Sequence, residues 1–325
     1  LRSPGLYDPF YGDKAQKARN LARLEARFKY VIDGMLEAKW ITAEEAKAAK
    51  MPTISPRTTG GSLSGPKGYI IDSVQKELSK LGFTQEQLMV GGYVIKTTLE
   101  QRAQQSAVDA VNKLYPSKAP ANLHIGLVAI RPGTGEVIAM YGGKDYVVRQ
   151  LNDATQSIAL AGSTFKPFAL AAALEQGIPL TSMWNGDSPQ TFDDLGKPYI
   201  VSNYGDEGWG QLDLLTATQH SVNTIFVPLG MKAGMDKVVD AARRAGIPEN
   251  VAMIPTPSVV LGVASPRVID VANAYATFAA QGVYAKPFLV ASVTGPHKGV
   301  LYEATPQTQE VFSKEVMADL TDALK

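Results

Sequence analysis

The feature that most constrains this chain is a hydroxyl and an amine three residues apart at the start of a predicted buried helix. Residues 162–166 read Gly-Ser-Thr-Phe-Lys and run directly into the apolar segment 167–174, Pro-Phe-Ala-Leu-Ala-Ala-Ala-Leu. Side chains at positions i and i+3 lie on one helix face, so Ser163 Oγ and Lys166 Nζ can meet. A serine hydroxyl is a poor nucleophile until a neighbouring base takes its proton, and a lysine at this spacing is one such base.

The sequence context, and not the spacing alone, favours this serine. Two other serines, Ser64 and Ser73, also have a lysine three residues later. Ser64 lies in the Gly/Ser/Pro-rich run 60–66, which is typical of a loop. Ser73 lies on the polar segment 72–80, which we expect to be a solvated helix face. Only Ser163 follows a glycine and opens an Ala/Leu-rich helix, so we interpret it as a nucleophile; the alternative is a helix-capping serine with a surface lysine.

A second motif follows at residues 221–223, which read Ser-Val-Asn between a helical stretch and an apolar run. A turn between two helices would place the Ser221 hydroxyl and the Asn223 amide in one cleft. The hydroxyl can relay a proton, and the amide can hold a peptide group by two hydrogen bonds. The plain alternative is a helix-capping serine with a turn asparagine.

Composition excludes several classes of function. The 325 residues leave room for about two domains. The net charge of +1 gives no electrostatic drive toward nucleic acid, so no nucleic-acid partner is predicted. The absence of cysteine excludes disulfides, thiolate catalysis and Cys-based zinc sites. The three histidines are scattered singly, and we therefore predict no metal and no cofactor. No apolar run is long enough to span a bilayer.

The order of predicted elements favours an α/β (α+β) fold. A β-hairpin is predicted at 125–143, because two apolar strands flank the turn sequence Arg-Pro-Gly-Thr-Gly. Mainly helical patterns follow it, interrupted by a polar excursion at 184–210. This order predicts helices packed on an antiparallel sheet, joined to a helical lobe. Upstream of the hairpin we predict helix in 13–50, with a second helix capped at Thr42. A helix at 69–81, a strand within 91–99 and a helix at 100–114 are predicted to follow.

The two motifs, in this order, resemble the transpeptidase domain of penicillin-binding proteins. The resemblance is to the bifunctional, class A kind, especially its actinobacterial members, and it implies the penicillin-binding/serine β-lactamase-like fold. The matching segments are 127–143, 161–177, 203–224 and 261–287. Within this family of enzymes, a serine β-lactamase or D,D-carboxypeptidase shares both motifs, although the long N-terminal region argues against them. From another class, a non-catalytic penicillin-binding scaffold or sensor is a further alternative.

The resemblance also implies a domain organisation. Residues 1–51 are similar to the helical tail of a glycosyltransferase domain, 52–122 to a linker region, and 123–325 to the transpeptidase domain. The family's third motif, Lys-Thr/Ser-Gly, does not occur in the chain. We therefore expect the chain to be truncated before that motif, with the C-terminal strands and half of the oxyanion hole outside it or on a companion C-terminal fragment chain.

The resemblance implies acyl transfer on peptidoglycan stem peptides that end in D-Ala-D-Ala. Ser163 would attack and form an acyl-enzyme, Lys166 would act as its base, Ser221 would pass a proton to the leaving amine, and Asn223 would orient the substrate backbone. β-Lactams would act as covalent inhibitors, and other cell-wall synthesis proteins would be partners. The full-length protein would also be a peptidoglycan glycosyltransferase on the extracytoplasmic face of the bacterial cell membrane, anchored by an N-terminal helix outside this chain.

Three aromatic residues of the excursion, Trp184, Tyr204 and Trp209, are candidates for lining the substrate cleft. His220 precedes Ser221, but neighbouring residues on a helix point in different directions. We therefore interpret His220 as structural and not as a catalytic base.

Overall fold

The computed structural model describes residues 4–54, 63–120, 122–296 and 299–325. These residues form two compact units, one made of the described residues up to 54 and the other of those from 63 onward. Parts of the predicted linker (55–62 and 121) and His297 lie outside the described residues. Within the described residues, no helix is both long enough and apolar enough to cross a bilayer.

The first unit is helical, as the sequence predicted. A 3-10 turn at Pro4–Tyr7 precedes helices α1 (Lys14–Glu37) and α2 (Ala43–Ala48). The predicted cap at Thr42 is confirmed: its hydroxyl accepts the Glu45 N–H at 3.2 Å, while the Glu45 carboxylate accepts the Thr42 N–H at 2.8 Å. Such a reciprocal pair satisfies two backbone donors that a helix start leaves free.

The second unit contains the other helices of the described residues. They are α3 (Lys67–Lys80), α4 (Gln85–Val90), α5 (Gln101–Leu114), α6 (Lys166–Glu175), α7 (Leu214–Gln219), α8 (Asn223–Ala233), α9 (Met235–Ala245), α10 (Val268–Ala279) and α11 (Lys314–Ala323). Three 3-10 turns also belong to this unit, at Gly162–Phe165, Tyr204–Asp206 and Pro257–Leu261.

The strands of the second unit pair antiparallel. They are β1 (Val94–Thr97), β2 (Leu127–Ile130), β3 (Val137–Tyr141), β4 (Met183–Asn185), β5 (Gln190–Asp194), β6 (Lys197–Val201), β7 (Gln211–Asp213), β8 (Val283–Ala285), β9 (Val290–Thr294), β10 (Val300–Glu303) and β11 (Thr308–Glu310). Strands β1, β9 and β10 form one sheet in the order β1-β9-β10. The remaining pairs are β2 with β3, β4 with β7, β5 with β6, and β8 with β11. The predicted combination of helices and antiparallel sheet is confirmed.

The polar excursion 184–210 contains strands that its sequence pattern did not predict. The structure places the hairpin β5–β6 there and pairs β4 with β7 around it. Most side chains of β5 and β6 are exposed or half-buried, so neither strand carries the apolar alternation that reveals a half-buried strand. The predicted strand and hairpin farther upstream, observed as β1 and as β2–β3, do carry apolar residues and were found.

Residues 63–120 pack with the rest of the second unit. Strand β1 pairs with β9, and the Glu77 carboxylate of α3 accepts the N–H groups of Leu289 and Val290 at 2.9–3.1 Å. Val74 and Leu78 share a small core with Val137 and Val293. The predicted boundaries at 51/52 and 122/123 stay predictions, but the described part of 52–122 beyond residue 62 is folded against the sheets and is not an extended tether.

The larger core surrounds α6. Every residue of α6 from Lys166 to Leu174 is buried, and helices α8, α9, α10 and α11 contribute to the same cluster. An Ala-rich helix can be enclosed in this way because small side chains let neighbouring helices approach on all sides. The start of α6 therefore lies at a fixed position in the core.

A close backbone contact holds the turn that precedes α6. The Gly162 N–H donates to the Gly262 carbonyl at 3.0 Å, and the Ala161 N–H donates to the Ala264 carbonyl at 2.9 Å. Gly262 has a φ of +74°, and a Cβ at this position would collide with the backbone of Gly162. Glycine is required here both for the left-handed conformation and for the close approach.

We expect Gly262→Ala to lower the free energy of unfolding by about 3 kcal/mol, because the added methyl group meets a rigid backbone and its residue must keep a left-handed φ. Gly196→Ala is the matched control: Gly196 has a φ of +82°, but nothing lies within 4 Å of the added carbon. The control should lose only about 1 kcal/mol. Urea denaturation of both variants tests this, and equal losses would show that the contact with Gly162 does not matter.

Candidate active site

The predicted contact between Ser163 and Lys166 is present. Lys166 Nζ lies 3.2 Å from Ser163 Oγ. Ser163 is exposed, whereas Lys166 is only 3% exposed. The local structure differs in one respect from the prediction, because Ser163 lies in the 3-10 turn Gly162–Phe165 and α6 begins only at Lys166. Side chains at i and i+3 eclipse one another in a 3-10 turn, so the contact is preserved.

The second motif lies in the loop between α7 and α8. Ser221 has a φ of +54°, and it ends α7 by donating its N–H to the Thr218 carbonyl at 3.1 Å. Its Oγ lies 2.9 Å from Lys166 Nζ, and its carbonyl oxygen is also in contact with that nitrogen. A left-handed conformation is unfavourable by about 1–2 kcal/mol for a residue other than glycine. Here it turns both oxygens of one residue toward the same amine.

Asn223 completes the group of four residues. It is the first residue of α8, and its Oδ1 accepts a hydrogen bond from Lys166 Nζ at 2.6 Å. Its Nδ2 donates one hydrogen to the Ser202 carbonyl at 2.8 Å. The second Nδ2 hydrogen has no acceptor among the described residues and is left for a substrate. The structure thus brings the other three predicted residues, Ser163, Ser221 and Asn223, around the amine of Lys166.

Lys166 is a buried amine surrounded by neutral oxygens. No carboxylate forms an ion pair with it among the described residues, and Nζ lies over the ring of Phe226, 5.7 Å from the centroid. Burial lowers the pKa of Lys166 to about 8. With this pKa, about a tenth of the molecules carry the neutral amine at pH 7, whereas an exposed lysine would have fewer than about one in a thousand.

A cavity of about 500 Å³ opens beside this group. Its lining consists of Ser163, Asn203, Tyr204, Glu207, Trp209, His220, Ser221, Val222 and Asn223. Two of the three aromatic candidates, Tyr204 and Trp209, line it. The third, Trp184, packs against the core and donates from Nε1 to Ser182 Oγ at 2.9 Å. His220 stacks on Trp209 with a centroid separation of 4.2 Å and makes no hydrogen bond with the four central residues.

Asn203, a buried residue that the sequence did not indicate as part of the site, connects the excursion to α8. Its Oδ1 accepts the N–H and the hydroxyl of Thr224 at 3.0 and 3.1 Å. Its Nδ2 donates to the carbonyls of Gly186 and Glu207, both at 2.9 Å. All of its polar capacity is therefore used in holding the cavity wall against the start of α8. These partners are scattered along the sequence, so no local pattern indicates the role.

The turn that carries Ser163 is braced from α10. The Tyr275 hydroxyl donates to the Thr164 carbonyl at 2.8 Å, and burial raises the pKa of Tyr275 to about 12. The Thr164 hydroxyl donates to the Ala161 carbonyl at 2.7 Å, which further stabilises the turn. The described residues contain no group of three or more His, Asp or Glu side chains arranged to hold a metal ion.

Comparison with known proteins shows a consistent family likeness. A family model described as the penicillin-binding protein transpeptidase domain matches residues 125–325. Penicillin-binding protein 1A of Mycobacterium tuberculosis is 35% identical over 323 residues, which cover 94% of this chain and 37% of that protein. The chain therefore spans little more than a third of the length of that relative.

Solved structures agree with this likeness. The structure of PonA1 from Mycobacterium tuberculosis in complex with penicillin V has a TM-score of 0.72 and 34% identity, and the match covers 80% of this chain and 71% of that one. The D,D-transpeptidase domain of a peptidoglycan glycosyltransferase from Eggerthella lenta has a TM-score of 0.60 and 25% identity, covering 72% of this chain and 66% of that one.

The buried amine makes a prediction about stability. Between about pH 8 and about pH 10.4 the unfolded chain binds a proton at residue 166 that the folded chain does not, so the wild type should gain stability with rising pH there. We therefore expect the difference in unfolding free energy between the wild type and Lys166→Met to change by about 3 kcal/mol across this interval, in favour of the wild type as the pH rises. Urea titrations at several pH values measure it, with Lys197→Met on the exposed strand β6 as the control. A pH-independent difference would contradict the lowered pKa.

Proposed function

The chain belongs to the family of penicillin-binding protein transpeptidase domains, and on that premise we propose that it is a peptidoglycan D,D-transpeptidase working through an acyl-enzyme on Ser163. The observation that carries the proposal is the position of Lys166 Nζ, 3.2 Å from one hydroxyl and 2.9 Å from another, in a buried site where its pKa falls to about 8. An amine with these properties can take a proton from one hydroxyl and return it through the other.

In the first step, neutral Lys166 takes the Ser163 proton as Oγ attacks the carbonyl carbon of the penultimate D-Ala. The Ser163 N–H donates to the developing oxyanion. Asn223 offers its free Nδ2 hydrogen to the backbone of the donor peptide while its Oδ1 keeps Lys166 in place. Because Ser163 is exposed and Lys166 is buried, the substrate reaches the nucleophile without displacing the base.

Collapse of the tetrahedral intermediate releases the terminal D-Ala. Its nitrogen needs a proton, and Ser221 supplies one while Lys166 replaces it, because Lys166 Nζ contacts both hydroxyls. The acyl group is then an ester on Ser163. In the second half-reaction an amine from a neighbouring stem peptide attacks this ester, and the proton transfers run in reverse, restoring Ser163 and forming the cross-link.

β-Lactams fit the same proposal. Their ring contains a reactive amide carbonyl that Ser163 would open, leaving an ester on Oγ in the place of the peptidyl group. The mycobacterial relative PonA1 has been solved in complex with penicillin V, which supports this expectation. We also propose that the longer protein works on the extracytoplasmic face of the bacterial membrane, where peptidoglycan is cross-linked.

The N-terminal region belongs to a further proposal. We propose that residues 1–51 are the helical tail of a glycosyltransferase domain and that the longer protein polymerises glycan strands as well as cross-linking them. The helical structure of the first unit, with helices α1 and α2, is consistent with this proposal.

Labelling with a fluorescent penicillin tests the acyl-enzyme directly. The wild type should gain one adduct that peptide mapping assigns to Ser163, and Ser163→Ala should gain none. Ser73→Ala is the matched control, because Ser73 also precedes a lysine by three residues but lies on α3, so labelling should be unchanged. An adduct that persists for hours indicates a transpeptidase, and rapid hydrolysis would indicate a β-lactamase instead. An adduct at another residue would refute the assignment.

The rate of acylation should depend on pH through Lys166. Only the neutral amine can accept a proton, so below its pKa of about 8 the acylation rate should fall about tenfold for each pH unit, and above it the rate should level off. Stopped-flow measurement of penicillin acylation from pH 6 to about pH 9.5 gives the profile. Lys166→Arg, which stays charged, should be slow at every pH; a flat wild-type profile would exclude Lys166 as the base.

A further inference from the structure

Among the described residues that line the cavity beside Ser163, only Glu207 carries a carboxylate. The Glu207 side chain is exposed, and among the described residues it makes no hydrogen bond and no ion pair. Its neighbour Asp206 is exposed as well but is not part of the lining. The catalytic roles proposed above use only Ser163, Lys166, Ser221 and Asn223, so the negative charge of Glu207 has no assigned purpose.

The position of Glu207 is fixed by its backbone. Its carbonyl accepts a hydrogen bond from Asn203 Nδ2 at 2.9 Å, and Asn203 Oδ1 accepts the N–H of Thr224 at 3.0 Å. Thr224 directly follows Asn223, whose amide contacts Lys166. A buried asparagine thus connects the residue carrying the carboxylate to the helix start that holds the base. The charge lies on a braced wall and not on a free loop tip.

The rest of this wall suits a positively charged ligand. Tyr204 is 97% exposed and lines the same cavity, and Trp209 lies there stacked with His220. A carboxylate among aromatic rings recognises an ammonium group, because the ring faces and the carboxylate both carry negative charge toward it.

We propose that Glu207 determines specificity for the amine acceptor: its carboxylate binds the ammonium group of the incoming acceptor beside the acyl-enzyme. This inference rests on the proposed transpeptidase function. The bound ammonium loses one proton to solvent, and the neutral amine attacks the ester carbonyl. The bond from the carbonyl carbon to Ser163 Oγ breaks, an amide C–N bond forms, and the second amine proton passes through Lys166 to Oγ. Glu207 places the acceptor and transfers no proton.

The test separates acceptor binding from acylation. The protein is acylated with a thioester analogue of the donor, and D-alaninamide, which carries an ammonium and no carboxylate, is the acceptor. Aminolysis and hydrolysis products are measured against acceptor concentration. For Glu207→Gln we expect the apparent KM for D-alaninamide to rise about threefold to fivefold, the range for a partly exposed ion pair. Penicillin acylation and hydrolysis of the acyl-enzyme should stay unchanged.

Two comparisons make the result specific. Asp206→Asn removes the same charge one residue away, outside the cavity lining, and should leave the KM unchanged, while Glu207→Asp should restore part of the binding. The effect of Glu207→Gln should also shrink as salt is raised, since salt screens exposed charges. A structural role of Glu207 would show no such salt dependence.

Each other outcome overturns the inference in a recognisable way. An unchanged KM in Glu207→Gln with normal penicillin acylation refutes the acceptor site and leaves the transpeptidase proposal intact. Equal rises in KM for Glu207→Gln and Asp206→Asn would indicate only the general charge of the excursion. A wild type that is not acylated at Ser163 removes both proposals together.

Discussion

The site depends on one buried ammonium group that has no carboxylate partner among the described residues. A buried charge is unfavourable unless it is paired, so the usual solutions are an ion pair or a shift of the pKa. Lys166 shows the second: its nitrogen is surrounded by two hydroxyls, a carbonyl and an amide oxygen, and its pKa falls to about 8. Neutral oxygens stabilise the proton only in part, and a carboxylate in their place would keep the lysine charged and unable to act as a base.

Four features from separate parts of the chain hold this arrangement. The glycine contact between residues 162 and 262 fixes the turn with the exposed hydroxyl, and the buried helix α6 fixes the base. The left-handed conformation of Ser221 turns the second hydroxyl inward. Asn203 then joins the excursion to α8 through four hydrogen bonds. The backbone strain and the buried charge lie together at the site, where natural proteins accept such unfavourable features for the sake of chemistry.

Much of the fold and the core of the site could be predicted from local patterns. The helices and the hairpin β2–β3 have strong periodicity or turn chemistry, and the serine–lysine pair needs only a helical turn to bring its groups together. The strands of the excursion were harder to predict from the sequence, because β5 and β6 have largely exposed or half-buried faces and therefore lack an apolar alternation. The two tryptophans of the excursion could not be separated by composition, because Trp184 and Trp209 both pack on the core and only Trp209 also lines the cavity.

What the sequence by itself determined is the chemistry that local spacing can specify: a hydroxyl and an amine one helical turn apart, a second hydroxyl and an amide at a helix junction, and the family to which these motifs point. The tertiary structure alone decided that Ser221 and Asn223 meet Lys166, that Asn203 braces the wall, and that Glu207 faces the cavity while Asp206 does not. These outcomes depend on contacts between residues far apart in the chain and on the burial of one amine. The pKa of that amine follows from the packing around it, and no spacing of residues in a sequence encodes packing directly.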